Sequence, residues 1–167
     1  MKPETTRKSN ARALADLDAG MVLATVEIAV PMARVFTALT DPRELMTWWG
    51  SPETYQAHRW EADFRVGGAW IVEGKGVDGH SYSVRGRFLE IDPPRRVVQT
   101  WQHDWDANHP ETTLTYTLDE VPGGTRVTVR HEGFVARPEA CSNHARGWER
   151  VLGWLDGYLE NRERPGL

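Results

Sequence analysis

Polar and apolar residues alternate over Met21–Val30 (MVLATVEIAV), with Val22, Ala24, Val26 and Ile28 on one side, which predicts a half-buried strand. The period then changes. Pro31 opens a short helix in which Met32, Val35, Phe36 and Leu39 recur at helical spacing. The stretch DPRELMTWWG, residues 41–50, predicts a second helix: Asp41 is a good N-cap, Pro42 suits the first helical position, Glu44 completes a capping-box pattern and Gly50 is a natural stop. Leu45, Trp48 and Trp49 then share one face of that helix.

From Tyr55 onward the period is that of strands. Six runs are separable: YQAHRWEADF, AWIVEGKG, SYSVRGRFLEI, RRVVQTWQH, ETTLTYTLDE and TRVTVRHEG. Between them lie turn residues: Val66-Gly67-Gly68, Asp78-Gly79, Asp92-Pro93-Pro94, Asn108-His109-Pro110 and Pro122-Gly123-Gly124. Connections this short join antiparallel neighbours. The chain closes on a long helix over residues 138–160, whose stripe is Cys141, His144, Trp148, Val151, Leu152, Leu155 and Leu159.

The predicted order is β-α-α-β-β-β-β-β-β-α, an α+β domain in which a curved seven-stranded antiparallel sheet closes around the terminal helix. Residues 1–20 are polar and charged, with a weakly helical ARALADLDAG, and are expected to form a flexible arm; residues 21–160 form the domain and 161–167 a tail.

Composition narrows the function classes. The net charge is −4 and Lys and Arg are scattered, so nucleic acid is not an expected partner. No apolar run approaches the roughly 20 residues that span a bilayer, and the first residues lack the apolar core of a secretory signal. Cys141 is the single cysteine, which excludes an intrachain disulfide. A cytoplasmic protein is expected. The unusual feature is eight tryptophans, which supply wide, rigid apolar surfaces.

No nucleophile elbow, phosphate loop or His-Glu-x-x-His pair is present. Cys141 and His144 are spaced as two possible metal ligands, but structural zinc takes four N or S ligands and no such set can be assembled, so neither metal nor cofactor is expected. His131 continues the inward face of Val127 and Val129, and His144 lies on the apolar stripe of the terminal helix. Two readings stand: hydrogen-bonded core histidines, or a polar contact for a ligand with acid/base potential. No carboxylate is clearly placed to orient either ring. Trp70, Tyr82 and Trp101 fall on inward strand faces, which makes an aromatic wall on the concave side. One of Trp48 and Trp49 is expected in the core and the other at the cavity mouth; the helical wheel does not choose between them.

Five segments taken in order, PMARVFTALTDPRELMTWWG, DFRVGGAW, GRFLEIDPPRRVVQTW, GGTRVTVRHEGF and HARGWERVLGWLDGYLE, resemble the SRPBCC superfamily, and more narrowly the activator of Hsp 90 ATPase homologue-like family. The resemblance runs from about residue 21 to residue 160 and implies a START-like helix-grip fold with a hydrophobic cavity. It does not imply one activity, because the superfamily contains lipid carriers, polyketide cyclases and stress proteins. The eukaryotic activators carry a further N-terminal domain that engages the chaperone. About 20 residues precede the first predicted strand, so a chaperone partner is not expected.

The expected function is non-catalytic binding of a small hydrophobic or amphipathic molecule, in a cavity walled by Trp70, Tyr82, Trp101, His131, His144 and Trp148, with Trp48 or Trp49 at its mouth. The alternatives are a cyclase- or hydrolase-type enzyme using the same cavity, or a chaperone- or stress-linked interaction module. On the outer face of the terminal helix, Trp154 lies with Gly147, Gly153 and Gly157. Interior helix glycines are unfavourable by about 1 kcal/mol each relative to alanine, so a close approach is expected to compensate. Either Trp154 lies on neighbouring basic side chains or the arm, or Trp154, Gly153 and Gly157 form a homodimer contact; the homodimer is the expectation carried forward.

Overall fold

The computed structural model describes residues 9–106, 108 and 110–163, with side chains to residue 160. Eight strands form a single antiparallel sheet: β1 (Arg12–Asp16), β2 (Met21–Ile28), β3 (Tyr55–Ala62), β4 (Ala69–Gly76), β5 (Ser81–Asp92), β6 (Arg96–His103), β7 (Glu111–Val121) and β8 (Gly124–Glu132). The helices are α1 (Met32–Thr40), α2 (Pro42–Trp48) and α3 (Pro138–Glu163). Strand order across the sheet is β1-β2-β8-β7-β6-β5-β4-β3, so the α1–α2 connection carries the chain from one half of the sheet to the other edge. The α+β helix-grip class and the order of the predicted elements stand.

The count of strands is corrected by one. The expected flexible, weakly helical arm contains β1, which pairs in register with β2 from Arg12↔Thr25 to Asp16↔Met21. The apparent helical spacing came from Leu14 and Leu17, and both are exposed. The small residues Ala13 and Ala15 are the ones that pack on the core, and two such residues at period 2 carry little hydrophobic signal. The β1–β2 turn needs a positive φ at Gly20, and a Cβ there would strike the backbone of Phe134 and Val135. Beyond β1, Asn10 bonds both backbone groups of Glu27, extending the ladder by a side chain. Residues 1–8 of the expected arm lie outside the described residues. The expected tail also begins late, because α3 runs on to Glu163; residues 164–167 lie outside the described residues.

In β2 the predicted inward set, Val22, Ala24, Val26 and Ile28, is fully buried. Asp41 both ends α1, by donating its N–H to the Thr37 carbonyl, and caps α2, by accepting from the Arg43 N–H at 2.9 Å. The reciprocal half of the capping box does not form. Glu44 instead takes a bidentate contact from Arg34 and the hydroxyl of Tyr158, which ties α1, α2 and α3 together.

Helix α3 packs chiefly on β1 and β2. Its apolar stripe (Cys141, Trp148, Val151, Leu152, Leu155 and Leu159) is buried there. Because the sheet curves and the helix covers only one half of it, space remains between the other flank of α3 and the β3–β5 half.

Candidate functional site

That space is a cavity of about 430 Å³, within the size range of small-molecule sites. Its walls are mainly aromatic: Trp49, Tyr55, Trp60, Tyr82, Trp101 and Trp148. The rim is polar, with Asp78, His80 and Ser81 from the β4–β5 hairpin facing Asn143 and Arg150 of α3.

The paired tryptophans take different places, Trp48 in the core and Trp49 in the inner wall of the cavity rather than at its mouth. Trp48, the last residue of α2, is buried and donates its indole N–H to the Ala38 carbonyl at 2.9 Å. Trp49 is the C-cap, with extended backbone angles that turn it off the helix face and into the cavity. There its ring meets Trp60 at 5.3 Å, Trp148 at 5.6 Å and Trp101 at 6.5 Å.

Of the other predicted wall residues, Tyr82, Trp101, His144 and Trp148 line the cavity. Trp70 and His131 do not. Trp70 lies one layer deeper, over Gly86 of β5, where a Cβ would come 2.7 Å from its indole nitrogen; it borders a separate void of about 20 Å³. His131 sits behind Trp101 and Trp148, with no exposed surface.

His144 joins two histidines behind this wall, His131 and His103, in a cluster of which two members were expected and one was not. His103, at the end of β6, is fully buried, 4.8 Å from His144 and in contact with Trp105 at 4.4 Å, ring centre to ring centre. It was legible: in RRVVQTWQH it continues the inward phase of Val97, Gln99 and Trp101. It also brings the carboxylate that sequence reasoning did not place, since His103 Nε2 lies 2.7 Å from Asp106 Oδ2, which Arg137 also holds at 2.7 Å.

Hydrogen-bond chemistry fixes each ring. An indole N–H only donates. Trp101 donates to His103 Nδ1 at 3.2 Å, so the neutral His103 carries its proton on Nε2 and donates it to Asp106. Trp148 donates to His131 Nδ1 at 3.0 Å, so His131 donates from Nε2 to Thr112 Oγ1, whose hydroxyl passes on to the Trp101 carbonyl. His144 donates from Nδ1 to the Ala140 carbonyl at 2.9 Å, which leaves Nε2 as a lone pair, buried and without a partner.

Electrostatics follow from burial. Burial drives the His131 pKa well below its ordinary value, with His144 and His103 adding to the shift. Burial also lowers His144, to about 4, against the opposing pull of the Ala140 carbonyl. Burial alone would raise the Asp106 carboxyl, but the hydrogen bond from His103 and the charge of the Arg137 guanidinium outweigh that and hold it below the usual carboxylate range. Burial raises the Tyr55 and Tyr82 phenols, for Tyr55 against the opposing pull of Trp49 and Arg150 on its hydroxyl. Among the described residues no group of three or more His, Cys, Asp or Glu side chains is arranged to hold a metal ion. Cys141 is buried, its Sγ directed to the Met21 carbonyl rather than to any histidine.

Trp154 has intramolecular partners. Its ring meets Tyr55 at 5.8 Å and lies under the Arg150 guanidinium, the arrangement on a basic side chain that was one of the two expectations for it. Gly153 faces Ser9 at 3.9 Å from an added Cβ, whereas Gly147 and Gly157 have open space. No helix among the described residues is long and apolar enough to cross a membrane.

The family model described as "Activator of Hsp90 ATPase homolog 1-like protein" matches residues 29–160. Solved structures share the fold over nearly the whole chain. Protein Ms6760 from Mycobacterium smegmatis is 26% identical with a TM-score of 0.76, covering 88% of this chain and 94% of that one. Protein CV1439 from Chromobacterium violaceum is 28% identical with a TM-score of 0.75, covering 84% and 97%. Protein NE0264 from Nitrosomonas europaea is 24% identical with a TM-score of 0.73, covering 89% and 98%. A search of curated proteins finds no match.

Proposed function

The chain belongs to the family of Activator of Hsp90 ATPase homolog 1-like proteins, and on that premise we propose that it binds a small hydrophobic or amphipathic molecule, without turnover, between the sheet and α3. The observation that carries this reading is the aromatic cavity of about 430 Å³, large enough for a two- or three-ring molecule and walled by side chains that stack on flat apolar surfaces.

The histidine cluster favours binding over catalysis. A general base needs a free ring nitrogen with an affinity for protons matched to the working pH. His103 and His131 have both ring nitrogens committed to fixed partners. His144 has a free lone pair, but that nitrogen is buried out of reach of the cavity and the ring's pKa is lowered to about 4, so it is not a base near neutrality. The cluster is a rigid polar backing for the aromatic wall.

Native mass spectrometry of freshly purified protein, followed by thermal melts with naphthalene-sized probes, tests the proposal. The expected result is a retained small molecule released unchanged, and probes that raise Tm because they bind only the folded state. A panel of such probes that neither quenches tryptophan emission nor shifts Tm overturns it; conversion of the released molecule to a product promotes the enzyme reading.

A further inference from the structure

Arg150 lies on the rim of the cavity, one helical turn before Trp154 on α3. Its guanidinium carbon sits 5.6 Å from the centre of the Tyr55 ring and 5.5 Å from that of Trp154, and these two rings meet edge to face. Two cation–π contacts hold the group in one place. Yet Arg150 makes no ion pair among the described residues, whereas most arginines on this surface do: Arg34, Arg59, Arg65, Arg96, Arg126 and Arg137 all have carboxylate partners.

The charges that share the rim are few. Asp78 faces it from the β4–β5 hairpin, but its carboxylate is occupied by the backbone N–H and the ring of His80. Arg146, one turn before Arg150, bonds the Asn143 side-chain oxygen and adds a second positive charge on that side of the helix. The mouth is therefore asymmetric, with an oriented planar cation on the α3 side and an internally satisfied acid opposite.

We infer that the ligand of this cavity is an organic acid: a planar, mainly aromatic body inside, and a carboxylate or similar oxyanion at the rim held by Arg150. This rests on the binding proposal above and specifies its ligand class. A guanidinium presents two parallel N–H donors that match a carboxylate, and one already fixed by ring contacts loses little freedom on engaging it. The aromatic body supplies the apolar contact area, and the anion supplies orientation.

The test uses two probes of one shape, 1-naphthylacetic acid and 1-naphthylacetamide, titrated calorimetrically into wild type, Arg150→Gln and Arg150→Lys. Wild type is expected to bind the acid about tenfold more tightly than the amide at low salt, the usual scale for one charge-assisted contact. The preference shrinks in high salt because the group is exposed. In Arg150→Gln the preference disappears while the amide binds within about twofold of wild type, and Arg150→Lys keeps part of it. Equal binding of both probes by wild type, or a preference that survives Arg150→Gln, overturns the ligand class but leaves cavity binding intact. Failure of both probes to bind overturns cavity binding and the ligand class together. Arg150 is exposed, so far-ultraviolet circular dichroism of each variant is expected to match wild type.

Discussion

Trp148 donates its indole N–H to Nδ1 of His131 at 3.0 Å, so a residue of α3 fixes the orientation of a ring on β8. The order continues without a break: His131 Nε2–H to Thr112, and Thr112 to the carbonyl of Trp101. Two tryptophans of the cavity wall are thereby joined through a buried polar chain in which each link has one possible direction.

Thr112→Val tests that chain at its middle. The change conserves shape, removes one hydroxyl, and leaves the buried His131 N–H unpaired. Destabilisation of about 1–3 kcal/mol is expected in urea melts, with an unchanged m-value. A loss below about 0.5 kcal/mol, the range of neutral surface changes, contradicts the assignment.

Acid sensitivity follows from the buried histidines. The folded-state pKa of His144 is about 4, below its unfolded value of 6.5, and His131 shifts the same way. The unfolded chain therefore binds more protons between these values, and stability rises with pH across that window. It is fully present above about pH 6.5 and falls toward pH 4, by roughly 3 kcal/mol for His144. The groups around it are His103, His131, Asp106 and Arg137. Urea melts at pH 7.5 and pH 5 check the slope, which is expected to be shallower in His144→Leu. A flat profile in wild type contradicts the buried neutral rings.

Gly86→Ala addresses the layer beneath the cavity. A Cβ at this position would lie 2.0 Å from the Thr100 carbonyl oxygen and 2.7 Å from the Trp70 indole nitrogen. Neither the β6 backbone nor a tryptophan packed against Trp101 has room to move. Destabilisation above about 2 kcal/mol is expected, measured by thermal melting.

Two helix glycines behave in the opposite way. Gly147 and Gly157 have nothing within reach of an added Cβ. Alanine at Gly157 is expected to stabilise α3 by about 0.5–1 kcal/mol. At Gly147, which lines the cavity, leucine is expected to keep that stability while reducing the affinity of naphthalene-sized probes at least tenfold. Probe binding by Gly147→Leu equal to wild type would place the ligand elsewhere.

The homodimer expectation meets a simple measurement. It rests on the unfavourable helix glycines beside Trp154, which a close approach would offset, and in the structure Tyr55 and Arg150 lie against the Trp154 ring. Sedimentation of wild type and Trp154→Ala is expected to give the same species at tens of micromolar, with only the melting temperature lowered. Dissociation caused by the substitution would restore the intermolecular contact.

The alternation in β2, β5 and β6 made most inward residues readable, including His103. Elsewhere the signal failed for local reasons. In β3 a register shift between Ala57 and Arg59 puts Tyr55 and Trp60 on the same face, although strict alternation assigns them to opposite faces. The choice between Trp48 and Trp49 depends on two backbone angles at a helix end, and these follow from packing rather than from residue type. Glu44 fits a capping box on paper, but Arg34 and Tyr158, distant in sequence, offer it stronger partners. Strand β1 escaped because its buried residues are alanines.

The ring contacts of Trp49 have an optical consequence. Trp48, Trp60, Trp101 and Trp148 each lie within 6.5 Å of it, and Trp70 touches Trp101 at 5.8 Å. Indoles this close pass excitation to one another before they emit, so the emission of the six chromophores is shared. An occupant that stacks on any one wall of the cavity extinguishes light gathered by all of them.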